Sequence, residues 1–386
     1  MPADSSTQQQ KTKKRPMGLK ARAAKKQKAD EESTTEGGAQ VVNDFDDENT
    51  ATIMLKNEGT EDANEIDELE GIFDGALEAL DEPERAIVLL RGTIHECDRI
   101  LRVHDEEAER TNDETPLEPR FYYIYGMALF SISELAEPDD KKEYLELASH
   151  RLQQAADAMK GDEKFAWRVY AGLAKVALGQ SSEEDESRLD GALSDLDRAL
   201  EALANTEKKE EGQEGALALR TETLAVADLV FSLADSRRLS EEASEKLISW
   251  GETRLKSLAD SQSDDGVGHA LARALWLKAG VLLDQQDEET GEVPEKDALV
   301  ALLTEAEELL KGTTDADALL LRGEIQLNLG NVQEEEEKQE ELYKIAVETF
   351  KLAKAGGDLP EQFAQFIEDF EQDGSDEGDD DDDDDE

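Results

Sequence analysis

The sequence predicts an all-α fold: a tetratricopeptide-like helical-repeat solenoid between a disordered basic N-terminal arm and a disordered acidic C-terminal tail. Three observations predict it. The apolar residues, 38% of the chain, are mostly Leu and Ala, and aromatics make up only 5%. Leu and Ala are strong helix formers, and a core built from them is thin. No stretch alternates apolar and polar residues cleanly enough to read as a strand. Small residues also recur at matching places in successive helical segments, as stacked helix pairs require.

Residues 1–60 lack apolar periodicity and are rich in Ser, Thr, Gln, Gly and charge, so they read as a disordered arm. Their first half is basic. Lys11, Lys13, Lys14 and Arg15 form one cluster, and Lys25, Lys26 and Lys28 form a second. Two basic clusters on an extended chain suit a two-part nuclear-import signal. The same residues would also serve as a solvated tail or a nucleic-acid-binding arm.

Residues 61–370 read as the α-helical repeat domain. Pro and Gly signals at Pro83, Pro116, Pro138, Gly161, Gly212, Pro294, Gly312, Gly330 and Pro360 are among the breaks that cut it into about a dozen helices of roughly 15 to 24 residues. Pro83 sits where a first helical turn accepts proline. Ser240, followed by Glu241 and Glu242, has the pattern of an N-cap with acids at the positive helix end.

The pairs repeat. Tyr122, Tyr125, Gly126 and Leu129 precede Ala148, Leu152 and Ala155. Trp167, Tyr170, Ala171 and Ala174 precede Ala192, Leu196 and Ala199. Trp276 and Gly280 precede Leu299, Leu303 and Ala306, and Leu319 and Gly323 precede Ala346, Phe350 and Ala353. Gly or Ala lets two helices of a hairpin approach closely, and the large residue a turn away fills the gap to the next pair. The interval from Ala171 to Gly280 leaves room for a more degenerate pair around 217–258. Stacked pairs of this kind leave an extended concave surface for a partner. An irregular bundle using Ala at its contacts is the competing architecture.

Residues 371–386 hold 12 acids and no base, with eight consecutive acids from Asp379 to Glu386, so self-repulsion keeps them extended as a disordered acidic tail. Such a tail could engage a basic surface, shield the chain's own basic arm, or simply keep the protein soluble.

Charge narrows the function classes. The formal net charge is −55, from 97 acids and 42 bases. A core of that charge repels phosphate backbones, so direct nucleic-acid binding by the core is not expected. Basic protein partners are, and an acidic chaperone for histones or ribosomal proteins is one reading. Cys97 is the single cysteine, so no intrachain disulfide can form. No apolar run approaches the roughly 18 residues a membrane span needs, and Asp228 interrupts the nearest, Leu224–Ala234.

Motifs for chemistry are missing. The four histidines, His95, His104, His150 and His269, show no metal-ligand spacing. His95-Glu96-Cys97-Asp98 fans around a helix and cannot converge on one ion, and the fifth residue, Arg99, breaks any HExxH pattern. Cys97 reads as a small packed residue. There is no phosphate-binding loop or nucleophile elbow, and Gly266-Val267-Gly268 lacks the rest of a dinucleotide fingerprint. No cofactor, metal or catalytic residue is expected, and the chain reads as a non-enzymatic, partner-binding protein.

Two segments resemble a known family. Lys14-Arg15-Pro16-Met17-Gly18-Leu19 followed by a basic run is similar to the opening of the fungal enhancer of translation termination family, with Met17 standing where that family has Leu. His95-Glu96-Cys97-Asp98-Arg99, flanked by Ile94 and Ile100, resembles its most recognisable motif. The resemblance implies a nuclear adaptor, with the cytoplasm also open, that is required for accurate translation termination. It implies protein partners: the termination machinery and an Fe(II)/2-oxoglutarate prolyl hydroxylase linked to oxygen-responsive gene expression. It implies no catalytic residue.

Overall fold

The computed structural model describes residues 40–42, 52–54, 64–112, 115–159, 163–182, 185–207, 213–236, 238–259, 265–285 and 295–376. Both basic clusters and the acidic run Asp379–Glu386 lie outside these residues.

Among the described residues there are thirteen α-helices: α1 Glu65–Glu78, α2 Pro83–Thr111, α3 Pro119–Leu135, α4 Pro138–Ala158, α5 Glu163–Gln180, α6 Leu189–Glu207, α7 Gln213–Asp235, α8 Glu241–Ala259, α9 Asp265–Asp284, α10 Lys296–Leu309, α11 Ala316–Asn331, α12 Glu336–Gly356 and α13 Glu361–Asp376. Local chemistry explains the boundaries. Proline occupies the first turn of α2, α3 and α4, where its missing N–H costs nothing. Asn64 and Asp315 cap α1 and α11 through their side chains. Ser240 caps α8 as expected, its Oγ accepting from the Ala243 N–H at 3.3 Å. Glu186 steadies that cap by accepting from Ser240 N and Oγ at 2.6 and 3.0 Å.

Each helix packs most closely on its sequence neighbour, giving six hairpins: α1/α2, α3/α4, α5/α6, α7/α8, α9/α10 and α11/α12. α13 packs on α12 at the end of the array. The odd-numbered helices also touch along the array, α1 with α3, α3 with α5, α7 with α9 and α9 with α11. The result is a two-layered helical solenoid. Its buried apolar residues follow chain order in four clusters, as expected when each pair buries its face mainly against neighbours.

The small-residue reading holds at Gly126, where an added Cβ would meet Leu152 Cγ at 2.6 Å, and at Gly323, where it would meet Phe350 at 2.5 Å. It fails at Gly280, where a Cβ would meet nothing within 4 Å. On α9 the tight approach is instead at Gly268, where a Cβ would meet Leu309 O of α10 at 3.2 Å, and Ala272 and Ala279 are fully buried. The degenerate pair is α7/α8, and its tight approach is Gly251 against Phe231 at 2.5 Å.

Three further expectations need correction. Helix α2 has 29 residues, beyond the expected range, because apolar positions from Ala86 to Ile100 keep one face buried and polar residues then carry the helix on to Thr111. Two three-residue strands, β1 Gln40–Val42 and β2 Thr52–Met54, pair antiparallel with Val41 opposite Ile53, inside the arm expected to be unstructured. Their β-branched residues favour extended backbone. Helix α13 runs six residues past 370, with the stripe Phe363, Phe366, Ile367 and Phe370 facing the array and Lys351 paired to Glu371 at 2.8 Å.

Candidate interaction surface

The five residues from His95 to Arg99 sit at the middle of α2, and a step of about 100° per residue sends each in a different direction. Cys97 points inward and is fully buried. Burial pushes its thiol well above the usual range, with Asp98 and Glu96 adding to the shift, so the reactive thiolate is suppressed.

Glu96 and Arg99 turn toward α1. Arg99 donates to Glu96 at 2.9 Å through Nε and to Glu65 at 3.1 Å through Nη2. Asp98 turns toward α3 and accepts the hydroxyl of Tyr125. Burial and that bond push the Tyr125 phenol up to about 12. The guanidinium of Arg151, on α4, lies over the Tyr125 ring at 4.6 Å. His95 and Asp98 are the exposed residues of the five, and of these two His95 has no hydrogen bond or ion pair among the described residues. The motif is therefore a joint that ties α2 to α1 and α3 and leaves the His95 ring outward.

The next repeat reuses the aromatic–arginine device. Arg198 on α6 lies 3.9 Å over the ring of Tyr170 on α5 and donates to its hydroxyl at 2.8 Å. One hairpin further on, Asp197 receives Trp250 Nε1 at 2.8 Å and pairs with Arg254 at 2.7 Å. These are rim contacts, sharing an apolar body with an accessible polar end.

The odd-helix layer is laced by charge. Arg120 of α3 pairs with Asp67 and with Glu70 of α1, the latter at 3.1 Å. Arg168 of α5 reaches Glu70 at 3.9 Å, and Phe165 meets Tyr123 edge-on at 5.1 Å. Asp74, partly desolvated and beside Glu70, has its carboxyl raised. Farther along, burial raises the Glu324 carboxyl to about 7, with Asp235 adding to the shift. Sequence reasoning missed these groups because acids are too common in this chain for any one to stand out.

Among the described residues, no group of three or more His, Cys, Asp or Glu side chains is placed to hold a metal ion. No described helix is long and apolar enough to cross a membrane. What the described surface offers is a long, charged, rigidly jointed face suited to holding another macromolecule.

The chain is similar to several known proteins. Residues 12–201 match the family described as nuclear pore complex subunit Nro1. The enhancer of translation termination 1 of Clavispora lusitaniae is 31% identical over 212 residues, covering 53% of this chain and 47% of that protein. The negative regulator of ofd1 of Schizosaccharomyces pombe is 31% identical over 186 residues, covering 43% of this chain and 44% of that one. The alignments thus take in about half the length of the curated relatives. A solved structure of the S. pombe nuclear import adaptor Nro1 aligns with a TM-score of 0.49 at 19% identity, over 82% of this chain and 100% of that one.

Proposed function

We propose that the chain is a member of the fungal enhancer of translation termination family and acts as a nuclear adaptor required for accurate translation termination. The observation that carries this is the similarity to relatives bearing that name over about half of the chain, beside the separate family match at residues 12–201, which takes in the His95–Arg99 joint. The solenoid supports it, since a stacked array of hairpins presents extended surface and keeps it rigid. The adaptor holds its partners on the helical body and enters the nucleus through the basic arm, with Lys11, Lys13, Lys14, Arg15, Lys25, Lys26 and Lys28 as the import signal. Its partners are the termination machinery and an Fe(II)/2-oxoglutarate prolyl hydroxylase, through which it also affects oxygen-responsive gene expression.

A stop-codon readthrough reporter in cells lacking the protein tests the reading. Readthrough should rise, return to normal with the wild-type chain, and stay raised when those seven basic residues are replaced by alanine. Unchanged readthrough in the deletion overturns the proposal.

A further inference from the structure

The outward face of α2 carries a feature unusual for so acidic a chain. Val88, Arg91, His95, Asp98 and Arg102 follow one another at helical spacing and are all exposed. Asp98 keeps its negative charge but spends one oxygen on the Tyr125 hydroxyl. The outward bases at the middle of the stripe are Arg91 and Arg102, with the His95 imidazole between them.

With 97 acids to 42 bases, an exposed base in this chain readily finds a carboxylate. Arg85, Arg99 and Arg110 on the same helix each do. Among the described residues, Arg91 and Arg102 have neither an ion pair nor a hydrogen bond. Arg151 flanks the stripe from α4, donating to Gln154 at 2.9 Å and stacking on Tyr125. Exposed Leu147 lies one turn before it. Acids bracket the stripe at both ends: Glu84 on one side, and Asp105, Glu106 and Glu109 on the other.

We propose that the outward stripe Arg91–His95–Arg102 of α2 is a docking surface for a short carboxylate-rich segment of a partner protein. The partner's chemistry follows from charge and length. A helix rises about 1.5 Å per residue, so Arg91 and Arg102 lie roughly 16 Å apart, the span of about five residues of extended chain. Guanidinium groups pair with carboxylates in two-point geometry. The bracketing acids reject a partner whose negative charge runs on past either end, which disfavours a nucleic-acid strand. At physiological salt, screening over about 8 Å removes most of the repulsion from distant acids but leaves contacts at the stripe.

The inference rests on the reading of the chain as a partner-binding adaptor. A fluorescein-labelled peptide of alternating Glu and Gly, titrated into the full chain at physiological salt and followed by anisotropy, tests it. The peptide should bind, and a Gln-for-Glu version should not. Arg91→Glu with Arg102→Glu should weaken binding about tenfold or more with unchanged thermal stability, while Arg91→Lys with Arg102→Lys should keep most of it. No binding to the wild-type chain, equal binding to the charge-reversed variant, or tighter binding of a single-stranded oligonucleotide overturns the proposal. Failure here with raised readthrough in the deletion leaves the adaptor role standing. Success here with unchanged readthrough leaves the docking surface without that role.

Discussion

At the joint of α1 to α4, polar ties run along the rim: Asp98 holds Tyr125, Arg99 holds Glu65, and Arg151 covers a tyrosine ring that stands over apolar neighbours. At the joint of α10 to α12, the polar ties go through the core. Gln326 is 1% exposed and Thr349 is 4% exposed. Thr349 donates to Gln326 Oε1 at 2.8 Å, Gln326 donates to Glu307 at 3.2 Å, and Arg322 donates to the same carboxylate at 2.6 Å. Both joints fix how one hairpin sits on the next. Water can replace a lost partner at the rim and cannot do so in the core, so equal-looking hydrogen bonds carry unequal consequences.

The comparison can be broken hardest at Phe350. Its ring is fully buried, stacks on Phe363 at 4.6 Å between centroids and fills the space left by Gly323. Phe350→Ala should destabilise the chain by about 3–5 kcal/mol, read as a lower urea midpoint, with α13 released first in hydrogen exchange. Next comes Gln326→Ala, which removes the buried link between Thr349 and Glu307, empties the space of its side chain and should cost about 1–3 kcal/mol by the same measurement. A cost under about 0.5 kcal/mol would show that water enters the core joint and erase the contrast.

Glu324 sharpens it by titration. Its folded-state carboxyl is raised from an ordinary 4.5 to about 7. The folded protein thus favours the protonated form, and the stability this contributes is full below about pH 4.5 and is lost as pH rises to 7. The effect is on the order of 1–2 kcal/mol once discounted for the water that reaches a half-buried group. Stability of Glu324→Gln minus that of the wild type should therefore grow from pH 5 to pH 8, and a flat difference would remove Glu324 from the account. The smallest effect belongs to the rim: Tyr125→Phe should cost about 0.5–1.5 kcal/mol, less than Gln326→Ala in the same denaturation series.

Much of this was legible in the residues. Gly126 facing Leu152 and Gly323 facing Phe350 follow from small residues recurring in paired segments. Gly280 misled, because one-letter spacing does not distinguish a glycine that admits a neighbour from one that faces open space. Gly251 was overlooked because in the α7/α8 pair the glycine lies on the second helix and the aromatic it admits, Phe231, on the first, the reverse of Gly323 and Phe350. The short strand pair at 40–54 escaped because three-residue strands are too brief to show alternation.

The sequence by itself determined the class of fold and its punctuation: Leu and Ala at helical spacing, proline in first turns, and small residues where rods cross. It also singled out His95–Arg99 as a unit. Only the tertiary structure decided what that unit does, sending Cys97 into the core, Asp98 to Tyr125, Arg99 to Glu65 and His95 outward. The reason is physical. Helical periodicity is a property of neighbours along the chain, whereas which carboxylate meets which base, and how much water each retains, depends on helices that lie tens of residues apart.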